Sequence, residues 1–144
     1  PGLPLALNTF SLRGYKSWQG WHQDAIQAAL LGLTAEAKKM VTSNFTAKQN
    51  SSRFPAFWGP NYDWVPDQDH GSVSSRALQN MLVQTNGDEV LLFPAWPKEW
   101  DVHFKLQAPY QTSVEVEWEN GKLEKLIVIP ESRRADIIEA WDLK

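Results

Sequence analysis

The chain of 144 residues contains no cysteine, which excludes disulfides and thiol catalysis alike. It has no unbroken apolar run of about 18 residues, so no segment reads as a membrane span. It has no surplus of basic charge. Fourteen Lys and Arg against seventeen Asp and Glu give a net charge of −3, and the basic residues are scattered rather than gathered into a patch for phosphates. No nucleic-acid partner is expected. Three chemical signatures are also missing: a Gly-x-Ser-x-Gly elbow, a phosphate-binding loop and a His-Glu-x-x-His helix. No cofactor is expected.

What remains is the composition of a folded chain, 42% hydrophobic and 22% charged, long enough for one modest domain or a helical piece with a small second domain. The chain opens on Pro1, with neither an initiator Met nor a signal peptide, and is expected to be a piece of a longer polypeptide. Eight Trp are the compositional outlier. Core and interface anchoring accounts for more than half of them. The remainder fits a sugar cleft, where the apolar faces of pyranose rings stack on indoles. Two glycosylation sequons, at Asn44 and Asn50, mean little if the source is bacterial.

Residues 17–48 read as a helical hairpin. Ser17 is expected to cap a helix with Trp18, Trp21, Ala25 and Ala29 on its apolar stripe. Gly32 supplies a left-handed stop, Leu33 its apolar partner, and Thr34 a cap for the next helix. That helix is expected to turn Ala37, Met40, Val41 and Phe45 inward, with Glu36 near its positive end and Lys38, Lys39 and Lys48 beyond. A short connection forces the two antiparallel. A third helix is expected over 72–84, burying Val73, Ala77, Leu78, Met81 and Leu82 and stopped by Asn86-Gly87.

After Gly87 the apolar period changes from 3.6 to 2. "EVLLF" reads as a short strand ended by Pro94. "SVEVEWENGKLEKLIVI" reads as a hairpin around a type I′ Asn120-Gly121 turn. Strict pairing would turn Lys125 into the core, so a β-bulge near Glu124 or Lys125 is expected to return Leu126 and Val128 to the buried side. "ADIIEAW" reads as a last strand. The expectation is therefore an α+β chain, with 1–88 helical and 89–144 a small antiparallel β unit too thin to bury much alone.

Between the second and third helices lies "FWGPNYDWVPDQDHGS", too aromatic for a solvated linker and too irregular for a core element. Glycoside hydrolysis needs two carboxyl groups about the scissile bond, polar groups for the hydroxyls and an apolar platform for the ring. Asp63, Asp67 and Asp69 are candidate carboxylates, Trp58 and Trp64 candidate platforms, and Asn61, Gln68 and His70 candidate orienting groups. Asp69 is placed where a loop enters a helix, near its positive end. Asp67 or Asp69 acting simply as a helix cap is the plainer alternative, as is a structural His70. A calcium site in Asp67-Gln68-Asp69-His70 would lack the third ligand and the glycine of a helix-loop-helix calcium loop, and no metal site is assigned.

From Gly14 to about Val128 the order of features resembles the C-terminal part of glycoside hydrolase family 95, the α-L-fucosidases and α-L-galactosidases, and its six-hairpin relatives from gut bacteria. "DHGSVSSRALQNMLVQT" sets Asp69 ahead of Met81 as the family sets its aspartate ahead of its methionine. "FPAWPKEW" and "VEWENGKLEKLIV" stand for the family's proline-rich segment and its Trp-rich hairpin. "GYKSWQGWHQDAIQAALLGL" is similar to its Trp-containing helix and Gly-ended helical hairpin.

The resemblance implies the terminal helical hairpins of an (α/α)6 barrel followed by a β domain. It further implies inverting hydrolysis of α-L-fucosides or related glycosides, with Asp69 as general base. Trp58, Asn61, Asp63, Trp64, Asp67, Gln68 and His70 would be the substrate contacts. The family's general acid and its water-polarising asparagines have no match in this chain, so an upstream part of the same polypeptide is an implied partner, beside the glycan itself. Self-association through helix flanks such as Ile26, Leu30 and Val41 is expected where barrel helices are missing. A periplasmic or secreted bacterial location goes with the resemblance. The alternative is a non-catalytic glycan-binding or scaffold module.

Overall fold

The computed structural model describes residues 2–19, 22–46 and 69–140, the first three of the last range by their backbone alone. The chain is mixed α+β and divides into two compact units, Pro1–Met81 and Leu82–Lys144.

The first unit opens with a helix that the sequence reading missed, α1 (Leu3–Leu12), with Pro in its first turn. Proline is tolerated there because the first backbone N–H groups of a helix have no intrahelical acceptor. The next helix, α2, spans Asp24–Leu30. It does not begin at Ser17. Ser17 instead donates its backbone N–H to Asp24 Oδ2 at 2.8 Å, and its hydroxyl accepts the N–H of Gln19 at 3.1 Å. That local turn competes with helix formation. The stripe of α2 accordingly consists of Ala25, Ala28 and Ala29. Trp18 is half-buried in the preceding connection, and Trp21 lies outside the described residues.

The stop at Gly32 is as expected, with φ at +70°. Leu33 N–H reaches Ala28 O at 2.9 Å and Gly32 N–H reaches Ala29 O at 3.0 Å, the paired bonds of a Schellman motif. Helix α3 (Thr34–Thr46) follows at once, so the short connection folds α2 and α3 into a hairpin. The carbonyl of Leu33 accepts from Ala37 N–H, which puts the cap one residue before Thr34. Ala37 and Val41 are buried as read, but Phe45 is 46% exposed and Asn44 is buried in its place. Asn44 Nδ2 donates to Trp18 O at 2.9 Å. A buried, committed amide is no glycosylation acceptor. Asn50 and Lys48 lie outside the described residues.

Helix α4 spans Asp69–Leu82, starting earlier than the expected Ser72. Ala77, Met81 and Leu82 are buried, joined by Ser74 and Asn80, while Val73 and Leu78 are half-buried. The helix stops short of Gln84 because the chain passes directly into strand β1 (Val83–Asn86). Asn86-Gly87 therefore does not end a helix. Gly87, with φ at +59°, turns a tight hairpin into β2 (Glu89–Leu92), which pairs antiparallel with β1.

Among its described residues the second unit holds two three-stranded sheets. In one, β2 lies between β1 and the short β6 (Ile137–Glu139), to which it runs parallel. The parallel pair corrects the all-antiparallel expectation; the whole second sheet intervenes in sequence between its members. That second sheet is β3 (Val102–Ala108), β4 (Thr112–Glu119) and β5 (Lys122–Ile129), antiparallel throughout. Asn120 and Gly121, with φ at +51° and +76°, form the expected turn. The expected bulge is present too. Glu117 pairs with Lys125 and Trp118 with Leu123, leaving Glu124 extra. Val116 thereby faces Leu126, and Val114 faces the buried Val128.

This unit is not too thin to bury a core. Phe93 follows β2 with φ at +59° and is fully buried. Its ring meets Phe104 of β3 edge-on at 6.0 Å and Trp118 of β4 at 5.3 Å, so the residue after β2 packs against the second sheet. Left-handed φ is costly for an aromatic residue, and here it accompanies a ring set against Phe104 and Trp118. Arg133, in a 3-10 turn over Glu131–Asp136, donates to Thr112 Oγ1 (3.1 Å), Asp136 Oδ2 (2.6 Å) and Asp88 O (2.7 Å). It ties β4 to the β1–β2 turn.

Candidate functional site

Trp58, Asn61, Asp63, Trp64, Asp67 and Gln68 lie outside the described residues. Asp69 and His70 are described by backbone, as the first two residues of α4. Asp69 thus stands inside the first turn of the helix rather than ahead of it. The first turn of a helix, with its unpaired N–H groups and dipole, is where negative charge is favoured.

The connection between α1 and α2 is described except at residues 20 and 21. Polar contacts hold it at several points. Asp24, buried at the start of α2, accepts from Ser17 N–H and is ion-paired with Arg13. Arg13 also donates to Gln27 Oε1 at 2.7 Å and lies over the Phe10 ring at 5.1 Å. Lys16 Nζ closes the end of α1 by donating to Phe10 O, Ser11 O and Arg13 O at 3.0–3.2 Å. His22 N–H reaches Gln19 O at 3.2 Å. The bond from Asn44 to Trp18 O pins the connection to the last turn of α3.

On this framework Tyr15 stands 67% exposed. Its ring meets that of His22 at 62° with centroids 5.5 Å apart. Neither residue was singled out from the sequence, although both lie within "GYKSWQGWHQD". The signal available was a density of aromatic and polar groups, part of what marked residues 57–72, and the helical spacing read through Trp18 and Trp21 hid it.

Trp96 and Trp118 are buried. Their indole N–H groups donate to Trp100 O (2.9 Å) and Lys98 O (3.0 Å), so these two are core anchors rather than sugar platforms. Two clefts flank α1. One, of about 470 Å³, lies against α2 between Leu5, Phe10, Arg13, Gln27 and Leu30. The other, of about 490 Å³, lies between Leu7, Phe10, Lys16, Leu33 and Glu36. On the outer face of the second sheet, Glu115 meets Lys125 at 2.5 Å, His103 at 3.7 Å and Lys105 at 3.8 Å. The hydrogen bond from Lys125 holds the Glu115 carboxyl below its ordinary value, and the same bond raises Lys125. Among the described residues no helix is long and apolar enough to cross a membrane.

Compared with protein-family models, curated proteins and solved structures, the chain matches none of them.

Proposed function

We propose that this chain contributes the general base of an inverting glycoside hydrolase acting on α-L-fucosides or related glycosides, within a six-hairpin (α/α)6 barrel whose other helices lie upstream in the same polypeptide. Asp69 takes a proton from the attacking water. Trp58 and Trp64 are platforms for the sugar ring, and Asn61, Asp63, Asp67, Gln68 and His70 orient its hydroxyls.

The observation that carries this reading is the start of α4 at Asp69. Asp69, which the resemblance matches to the family's base, lies in the first turn of that helix, and the aromatic, acid-rich segment precedes it in sequence. The helix dipole there favours the ionised carboxylate that a base requires. The α2–α3 hairpin, closed by Gly32, supports the toroid reading as a repeat unit of the right kind.

Inversion needs an acid and a base on opposite faces of the sugar, roughly 6.5–9.5 Å apart, and this chain offers a match for the base alone. The purified chain is therefore expected to leave aryl α-L-fucosides and α-L-galactosides intact. The polypeptide that joins it to the upstream barrel helices should hydrolyse one of them, releasing a sugar of inverted anomeric configuration by NMR. Turnover by the chain alone would overturn the split site. Glycan binding without turnover by the longer polypeptide would establish the binding-module alternative instead.

A further inference from the structure

We propose that Tyr15 and His22 form a second sugar contact, a rim on which a neutral pyranose unit of the glycan stacks. This rests on the glycosidase reading for its ligand class, but it stands on residues that reading does not use.

Position is the first argument. Asn44 Nδ2 holds Trp18 O at 2.9 Å, so the α1–α2 connection lies at the C-terminal end of α3. Helix α3 ends there at Thr46, and the residues proposed to hold the sugar come later in the sequence. The α2–α3 turn at Gly32 lies at the opposite end of the hairpin.

Rigidity is the second. A binding loop that is already ordered loses little freedom when its ligand arrives. The turn is fixed on both sides of Tyr15, by Lys16 Nζ on three carbonyls and by Asp24 on Arg13 and on Ser17 N–H. Nothing in that network employs the Tyr15 ring. It is left 67% exposed, with His22 its ring neighbour.

Charge is the third, and it selects the ligand. Arg13 is ion-paired with Asp24, and the Lys16 ammonium is spent on backbone carbonyls. Among the described residues the rim therefore presents an aromatic face and an imidazole rather than an uncommitted cation. An anion would gain little there. A neutral pyranose would set its apolar face on the phenol ring and a hydroxyl against a ring nitrogen of His22, which can donate or accept.

The test is an NMR titration of the 144-residue chain with methyl α-L-fucopyranoside, and in a parallel arm methyl α-L-galactopyranoside. The Tyr ring resonances are assigned by single Tyr→Phe substitution. Tyr15 should shift saturably with one of the two sugars. Tyr15→Ala should weaken binding about three- to tenfold, while Tyr15→Phe retains it. Tyr110, on the other unit beneath the Arg133 guanidinium at 5.1 Å, should not move. Three outcomes overturn the rim: no sugar binding, binding that leaves the Tyr15 ring unshifted, or a Tyr15→Ala chain of unchanged circular dichroism that binds like the parent. The two readings fail separately. A silent Tyr15 beside a longer polypeptide inactivated by Asp69→Asn removes the rim alone, whereas a shifting Tyr15 beside a longer polypeptide without turnover removes the enzyme alone.

Discussion

Asn44 and Trp18 stand far apart in sequence, and the side-chain amide of the first donates to the backbone carbonyl of the second at 2.9 Å. Asn44 is 2% exposed, so the bond is made away from water, where a lost partner leaves a carbonyl unsatisfied. Asn44→Ala should destabilise the chain by about 1–3 kcal/mol, read as a lower urea midpoint at unchanged slope. Phe45→Ala, at an exposed neighbour, should cost far less. Equal losses for the two would return Phe45 to the core.

A second expectation concerns the turn of the β4–β5 hairpin. A Cβ added at Gly121 would meet no atom within 4 Å, yet φ there is +76°. Any cost of Gly121→Ala is therefore a backbone cost, about 1–2 kcal/mol. Gly14, where a Cβ also meets nothing within 4 Å and no positive φ is recorded, should accept Ala with no comparable loss. Thermal melts of the two variants make the comparison.

A third follows from Glu115. Its folded pKa is depressed, chiefly by the hydrogen bond from Lys125 and further by Lys105 and His103. A depressed carboxyl contributes stability above its unfolded pKa and loses it as pH falls through the folded value. Glu115→Gln should thus lower the melting temperature slightly at neutral pH and leave it unchanged at pH values below the folded pKa, where the parent is protonated too. The Lys125 pKa is raised by the same bond, so its share persists below the unfolded Lys value and is lost only as strongly alkaline pH passes the folded one. Because the site is solvent-exposed, salt should erode the difference.

A fourth concerns association. Of the flanks Ile26, Leu30 and Val41, Leu30 is 53% exposed, Ile26 is half-buried, and Val41, also read as facing inward, is buried at 3%. Helix α1 adds Leu3, Leu5 and Leu12, at 55%, 70% and 75%, on a helix with no charged residue. Light scattering should find the chain self-associating, and Leu5→Glu with Leu12→Glu should reduce it. A parent that stays monomeric at high concentration would contradict the expectation.

The elements legible in the sequence were those with a local cause. The Gly32 stop and the Asn120-Gly121 turn need positive φ, and the bulge at Glu124 is forced by alternation around Lys125. Strand β3 carries the same alternation in "VHFKLQA", with Phe104 buried and Lys105 exposed, and was overlooked for want of a turn signal. Boundaries went astray where a tertiary contact outbid a local one. Ser17 looks like a helix cap until Asp24 claims its N–H, and Asn86-Gly87 looks like a helix stop until Leu92 pairs with Val83. The parallel partnership of β2 and β6 leaves no local trace, since it joins segments separated by a whole sheet. Of the candidate site, the sequence supplied the acid-rich segment and the helix that follows it. It did not show the Tyr15–His22 pair, which becomes visible only once Asn44 fixes where that connection lies.

The central claim is that Asp69 is the base, and one comparison bears on it most directly: steady-state hydrolysis of an aryl α-L-fucoside by the polypeptide joining this chain to its upstream helices, with Asp69 and with Asp69→Asn. A base acts on the proton of a positioned water, so its loss should lower kcat by about two to four orders of magnitude with KM little changed. Trp58→Ala or Trp64→Ala should chiefly raise KM. A folded Asp69→Asn enzyme with near-parent kcat would contradict the account, leaving Asp69 a first-turn acid that steadies α4 and passing the role to Asp67.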